Sequence, residues 1–166
     1  MRFVFNKTTS GIFIHLQKNT CCMISVKKLL SAKPKGTLWS VSPDAMVIDA
    51  LQLMAEKNIG TVVVMDGQRL AGIFSERDYA RKGIIQGRKA KSTPVTEVMT
   101  ANVFTVSIDM NIDDCMQLFS SKRIRHLPVV DGQQVVGLIS IGDVVDAMIR
   151  EQGSHIEFLE QYIAGR

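Results

Sequence analysis

The sequence predicts a mixed α/β (α+β) fold built from two β-α-β-β-α repeats related by a pseudo-two-fold axis. Three observations carry that expectation. Shifted by 65, residues 41–81 lie on residues 106–146 without a gap, and 15 of the 41 positions are identical. Each copy holds a Val-rich run of strand length followed by Asp-Gly, the signature of a tight hairpin. Apolar residues also recur at helical spacing between the strand runs. Two copies are too few for a solenoid, so a pair that closes on itself is expected.

The elements follow in order. A short strand opens each copy, at 37–41 and 103–106. In the second copy Ile112, Cys115, Met116 and Phe119 fall at i, i+3, i+4 and i+7, one buried helical face. Runs 61–65 and 127–130 suit buried strands. Asp66-Gly67 and Asp131-Gly132 then turn the chain into second strands ending at Phe74 and Ile139. The closing helix is clearest in the second copy, where Ile141, Val144, Val145, Met148 and Ile149 form one stripe. A weaker echo precedes each copy. Residues 25–30 resemble residues 94–99 at an offset of 69, so the first copy carries four extra residues around 32–36. Residues 87–93, with Arg88, Lys89 and Lys91, read as a polar linker. After Gly153, Ile156, Leu159, Tyr162 and Ile163 predict a C-terminal helix that packs on the module or on a partner. The expected divisions are an extension at 1–22, a first repeat at 23–86, a linker and lead-in helix at 87–100, a second repeat at 101–150 and a C-terminal helix at 151–166.

Composition narrows the function classes. The 166 residues are 46% apolar and 22% charged, the balance of a soluble globular domain. No apolar run exceeds four residues, which excludes a transmembrane helix and makes a membrane an unexpected partner. The net charge of +4 is unevenly spread. Residues 1–43 hold seven Lys or Arg and no acid, whereas the remainder holds 13 basic and 16 acidic groups. A net acidic body does not suit phosphate-backbone tracking, so nucleic acid is not expected as a partner. Three cysteines, with Cys21 and Cys22 adjacent, make neither a disulfide framework nor a zinc site and fit a reducing, cytoplasmic setting. His15, His126 and His155 have no metal spacing, and no Cys–His or Ser–His pair is visible. Neither catalytic nor metal-binding residues are expected, and the chain does not read as an enzyme. Residues 1–22 are acid-free and partly amphipathic (Ile12, Phe13, Ile14, Leu16). They weakly resemble an organelle-targeting peptide, which would place the protein in an organelle matrix; a disordered extension or a start at Met23 are equal alternatives.

The sharpest motifs are Gly72-Ile73-Phe74-Ser75-Glu76-Arg77-Asp78 and Gly137-Leu138-Ile139-Ser140-Ile141-Gly142-Asp143. Each sets a hydroxyl at a strand-to-helix junction and a carboxylate three residues later. One reading is purely structural: Ser at the N-cap and an acid at N3 form a capping box. The other uses the same geometry for a ligand, because a helix N-terminus receives an anion and a carboxylate accepts both hydroxyls of a ribose. On the residues alone capping is the better reading.

The paired units, the Asp-Gly turns, the Gly-x-x-Ser-x-x-Asp ends and Arg125-His126-Leu127-Pro128-Val129 resemble tandem cystathionine-β-synthase (CBS) domains, the Bateman module. The resemblance spans about residues 24–150, recurs in both halves and reverses the preference. It implies two clefts between the repeats that bind adenosine-containing ligands: AMP, ADP or ATP first, with NAD(H) or S-adenosylmethionine as further candidates. By motif, Asp78 and Asp143 would hold ribose hydroxyls, with Ser75 and Ser140 beside them. Ser40, Val41, Thr105, Val106, Val62, His126 and Leu127 would surround adenine, with Phe74 and Ile139 closing the apolar wall. Arg125 would meet phosphate, whereas Arg81 and Lys82 read as solvated surface cations. The second copy keeps the family's proline at Pro128, where the first has Val63.

The expected function is therefore a regulatory adenine-nucleotide sensor, homodimeric through its apolar helix faces and acting on a separate effector protein. The rival is a constitutive dimerisation or scaffold module without a physiological ligand.

Overall fold

The computed structural model describes residues 5–8, 11–14, 24–33 and 38–163, with side chains described for 24–33 and 38–153. The first repeat runs β3 (Ser40–Val41), α2 (Val47–Lys57), β4 (Thr61–Asp66), β5 (Arg69–Ser75) and the single turn α3 (Glu76–Asp78). The second runs β6 (Phe104–Ser107), α4 (Ile112–Lys122), β7 (His126–Asp131), β8 (Gln134–Ser140) and α5 (Ile141–Ile163). Both are β-α-β-β-α, with a parallel β3–β4 or β6–β7 pair and an antiparallel hairpin. Gly67 and Gly132, at φ near +60°, sit first in the two-residue hairpin loops, a conformation that a side chain would strain. The register shifts at Val64/Met65 and again at Val129/Val130, equivalent places 65 residues apart.

The preceding segments cross over. Helix α1 (Val26–Ser31) buries Val26 and Leu29 against α4, β6, β7 and β8 of the second repeat, while Val95 and Val98 enter the first repeat's core beside Val47, Met54 and Phe74. The backbone ties are reciprocal. Val26 donates to the Met110 carbonyl at 2.7 Å and Val95 to that of Ala45 at 2.9 Å; Ile112 donates to Ile24 and Val47 to Thr93. Each core thus needs the other repeat's lead-in, and the two halves are clasped by exchange. The axis itself is visible in one contact: Thr61 and His126, equivalent under the 65-residue shift, place Oγ1 and Nδ1 3.2 Å apart. Equivalent atoms meet this closely only beside the rotation axis.

The closing helices differ between the copies. After α3 the chain forms a π-helical turn, Tyr79–Gly83, and a 3-10 turn, Ile84–Gln86. The Tyr79 ring fills the space over Gly83, where a Cβ would stand 2.4 Å from it. In the second copy no break occurs: α5 runs through Gly153, so the separate C-terminal helix expected from the sequence is the continuation of α5. A helix-interior glycine costs only about 1 kcal/mol and does not terminate a helix by itself. Ile156, Leu159, Tyr162 and Ile163 lie outside the described side chains. At the other end, β1 (Phe5–Thr8) and β2 (Gly11–Ile14) form a hairpin, so this much of the extension is ordered into strand. Its second strand pairs in parallel with β6, Phe13 opposite Thr105, and covers what would otherwise be an open sheet edge.

Candidate functional site

The two Ser–Asp motifs occupy equivalent strand-to-helix junctions. Strand β5 ends in Ser75, and its pairing with Thr61 aims the chain at the repeat boundary; Ser140 on β8 pairs in the same way with His126. Each junction is stitched by one backbone bond, Glu76 N–H to the Gly60 carbonyl and Ile141 N–H to that of Arg125. Glycines bring the lead-ins close. A Cβ on Gly72 would lie 2.6 Å from the Thr100 carbonyl oxygen, and one on Gly137 2.7 Å from Leu30.

Both capping boxes are closed. The Ser75 hydroxyl accepts from Asp78 N–H at 3.2 Å, and Asp78 Oδ2 accepts from Ser75 N–H at 3.1 Å and from its hydroxyl at 2.5 Å. Ser140 and Asp143 repeat this at 3.2, 2.6 and 2.7 Å. The remaining partners differ. Asp78 Oδ1 accepts from Thr100 Oγ1 at 3.0 Å and pairs with Lys82 Nζ at 2.9 Å; Lys82 also donates to the Met99 carbonyl. Asp143 Oδ2 pairs with Lys33 Nζ at 2.7 Å, and Lys33 also donates to the Leu138 carbonyl. One acid is therefore neutralised from its own helix turn and the other from the crossing lead-in. Burial works against both charges, but hydrogen bonds from Ser75 and Lys82, and from Lys33 and Ser140, outweigh it. Both carboxyls are held below the usual aspartate range.

Lys82 is thus not a solvated cation as expected from sequence; it is committed to Asp78, whereas Arg81 is exposed. Lys33 and Thr100 were not singled out by sequence. The signal for Lys33 was the four-residue excess around 32–36, and for Thr100 its place after the lead-in that echoes 25–30.

The apolar candidates fall elsewhere. Val62, Phe74, Val106, Leu127 and Ile139 have no accessible surface and form the two cores, so their side chains pack inside the repeats. Strand alternation explains this, since Thr61 and His126 point to the boundary while their neighbours Val62 and Leu127 point inward. Ser40 and Val41 lie on β3 and remain partly accessible, while Thr105 on β6 is buried. Arg125 is exposed. His126 is half-buried between Thr61, Arg125, Asp143 and Lys33. Burial and the nearby Arg125 charge depress its pKa more than Asp143 raises it. Around Asp143 and Lys33 opens a cavity of about 270 Å³ between α1 and α5, with Ile24, Leu29, Ala32 and Ala147 on its walls. Cys115 is buried and its thiol is pushed up to about 12, which leaves it without nucleophilic character near neutrality. Among the described residues no group of three or more His, Cys, Asp or Glu could hold a metal, and no helix is long and apolar enough to cross a membrane.

Paired repeats with equivalent Ser–Asp junctions facing a shared boundary define a class, and comparison with known proteins agrees. The CBS domain family model matches residues 26–83 and 95–150, and the chain belongs to the CBS-domain family. The CBS domain-containing protein CBSX3, mitochondrial, of Arabidopsis thaliana is 42% identical over 150 residues, covering 85% of this chain and 72% of the relative. A CBS-domain protein structure from Burkholderia ambifaria MC40-6 superposes with a TM-score of 0.74 at 47% identity, covering 78% of this chain and 96% of that one. CBSX2 in complex with AMP has a TM-score of 0.65 at 29% identity, covering 77% and 98%. The CBS domain pair of MJ0100 in complex with 5′-methylthioadenosine and S-adenosyl-L-methionine has 0.67 at 27%, covering 78% and 98%.

Proposed function

We propose that the chain is a regulatory module that binds an adenine nucleotide between its two repeats and passes ligand state to a separate effector protein by shape, without chemistry of its own. The observation that carries this reading is the pair of Ser–Asp junctions, each holding an ionised carboxylate at the boundary between halves. An ionised, partly buried carboxylate is the group that accepts both hydroxyls of a vicinal diol. The AMP and S-adenosylmethionine complexes of related domain pairs support an adenosine-containing ligand. AMP, ADP and ATP are the first candidates, with NAD(H) or S-adenosylmethionine after them. Asp143 with Ser140, and Asp78 with Ser75, receive ribose, and Arg125 and His126 lie where phosphate would approach. Adenine would lie against the exposed Ser40 and the partly accessible Val41, whereas their counterpart Thr105 is buried.

The module acts as a homodimer in this reading. Ile84 and Ile149, equivalent under the repeat, are 61% and 62% exposed, and Ile141 and Val145 extend the patch along α5. The mitochondrial relative makes an organelle matrix the setting to test alongside the cytoplasm.

Native mass spectrometry of freshly purified protein and calorimetry with AMP, ATP, NAD and S-adenosylmethionine test the reading. A nucleotide-sized adduct, or binding heat whose affinity Asp143→Ala weakens about tenfold or more, is expected, since a hydrogen bond to a charged group is worth about 1.5–3 kcal/mol. The second reading, a dimerisation module without ligand, is favoured by the completeness of both capping boxes. It prevails if no ligand gives heat and Asp143→Ala lowers only the melting temperature.

A further inference from the structure

The two acids are not equivalent, and the difference says which adenosyl ligands the Asp143 cleft accepts. Lys33 has no cationic counterpart in the second lead-in: residues 94–103 contain no Lys or Arg, and there the Thr100 hydroxyl meets Asp78. Its Nζ bonds Asp143 Oδ2, the oxygen that also accepts from both the backbone and the hydroxyl of Ser140. An oxygen with two lone pairs and three donors is saturated. A vicinal diol that places one hydroxyl on each carboxylate oxygen must therefore displace a donor. The Ser140 N–H is fixed by the backbone at the start of α5, and its hydroxyl is held to Asp143 both as donor and as acceptor. Lys33, by contrast, is a flexible side chain from another element, so the donor that yields is Lys33.

Once displaced, the ammonium stays close. Helix α1 holds Lys33 through its N–H to the Leu30 carbonyl at 3.1 Å, and Leu30 is wedged over Gly137. Lys33 is only 22% exposed and faces the cavity beside Asp143, whose other charged walls are Lys28, Asp146, Arg150 and Glu151. A partly buried cation that has lost its carboxylate needs another anion. A ligand phosphate supplies one; with a neutral nucleoside Lys33 has only Asp146 and Glu151, which share those walls with Lys28 and Arg150, and a sulfonium brings a further positive charge.

We infer that Lys33 is a charge-selecting residue that makes the Asp143 cleft specific for phosphorylated adenosine ligands over neutral or cationic ones. The inference rests on the proposed ribose role of Asp143 and adds the class of ligand. Its test is calorimetry with AMP, adenosine and 5′-methylthioadenosine on the full chain carrying Asp78→Asn, so that heat reports the Asp143 cleft. In this background AMP should bind at least tenfold more tightly than adenosine. Adding Lys33→Met should weaken AMP several-fold and strengthen adenosine, because the competitor for Asp143 is gone, drawing the ratio toward one. Lys33→Arg should keep the preference, and Lys33→Gln replaces the methionine variant if that fails to fold. Equal weakening of AMP and adenosine by Lys33→Met makes Lys33 merely structural and overturns the inference. Equal affinity for both ligands before any change at Lys33 does the same; either outcome leaves the ligand-binding reading standing. Absence of any binding to the unmodified chain removes that reading and this inference with it.

Discussion

Gly72 and Gly137 are equivalent, yet the same change should cost them differently. At Gly72 an added Cβ meets backbone: 2.6 Å to the Thr100 carbonyl oxygen and 3.3 Å to Ala101 Cα, with Met99 Sδ at 3.0 Å. Restoring ordinary contact means opening 2.6 to 3.4 Å, roughly 0.8 Å of backbone movement. That shift breaks the Ile73–Thr100 pair, two bonds of 2.8 and 3.0 Å, worth about 0.5–1.5 kcal/mol each. Overpacking adds about 1–3 kcal/mol, and relief of glycine's chain entropy returns about 0.5–1 kcal/mol. Gly72→Ala should therefore cost about 1–5.5 kcal/mol, with the centre of these ranges near about 3 kcal/mol. At Gly137 the obstacle is the far end of Leu30, at 2.7 and 3.0 Å, which moves by a rotamer change of about 0.5–1.5 kcal/mol. After the entropy return, Gly137→Ala should lie between about 0.5 kcal/mol stabilised and about 1 kcal/mol destabilised. Urea titrations of both variants, compared at unchanged m-value, give the difference directly. Equal losses, or a larger loss at Gly137, would refute the claim that backbone crowding sets the cost.

Three other outcomes are expected. Arg123 caps α4 in the left-handed region at φ 54°, where the first repeat uses Asn58 at φ 52°; Arg123→Asn should stabilise by about 0.5–1 kcal/mol in the same titration. Because the folded state depresses the His126 pKa, the unfolded chain binds the extra proton first, so stability should fall as pH drops below about 6.5 and level off beneath the folded value. His126→Asn should flatten that slope in melts from pH 7.5 to 5 (about one unit per step), while the depressed Asp78 and Asp143 lose their contribution only as pH falls below 3.8. Replacing both Ile84 and Ile149 with Asp should yield a monomer in light scattering at micromolar concentration; an unchanged dimer mass would place the interface elsewhere.

Local rules made much of the fold legible. The 65-residue identity, the Asp-Gly loops and the helical stripe of Ile112, Cys115 and Phe119 each have one cheap conformational solution, and the structure adopts it. What single-sequence reasoning did not reach was partnership across distance. Residues 25–30 echo residues 94–99, but nothing in that echo says that Val26 belongs with Ile112 and Val95 with Val47. The same blindness explains the site. Ser75 meets Asp78, and Ser140 meets Asp143, because each pair is three positions apart, whereas Lys33 reaches Asp143 across 110 positions. Motif position puts Val62 and Leu127 at the cleft, and only the two-residue period of their strands tells that their side chains point into the cores.

The crossover also bears on how a ligand could be reported. Helix α5 carries Asp143 and Ala147 on the face toward α1, while Ile141, Val145 and Ile149 lie on another face, exposed at the surface proposed for dimer contact. Positions 143 and 145 are about 200° apart around a helix, so one rigid element has the cleft on one side and the subunit surface on the other. A ligand moves such an element only by the difference in its affinity for two placements. At a hundred times its dissociation constant it contributes about 2.7 kcal/mol, which bounds what the proposed switch can transmit. Part of that goes to separating Lys33 from Asp143, one of the bonds that fasten the first lead-in to the second repeat. A ligand whose phosphate re-engages Lys33 recovers this cost, and one without phosphate does not. In this mechanism the ligands that the cleft selects are the ligands able to reposition α5.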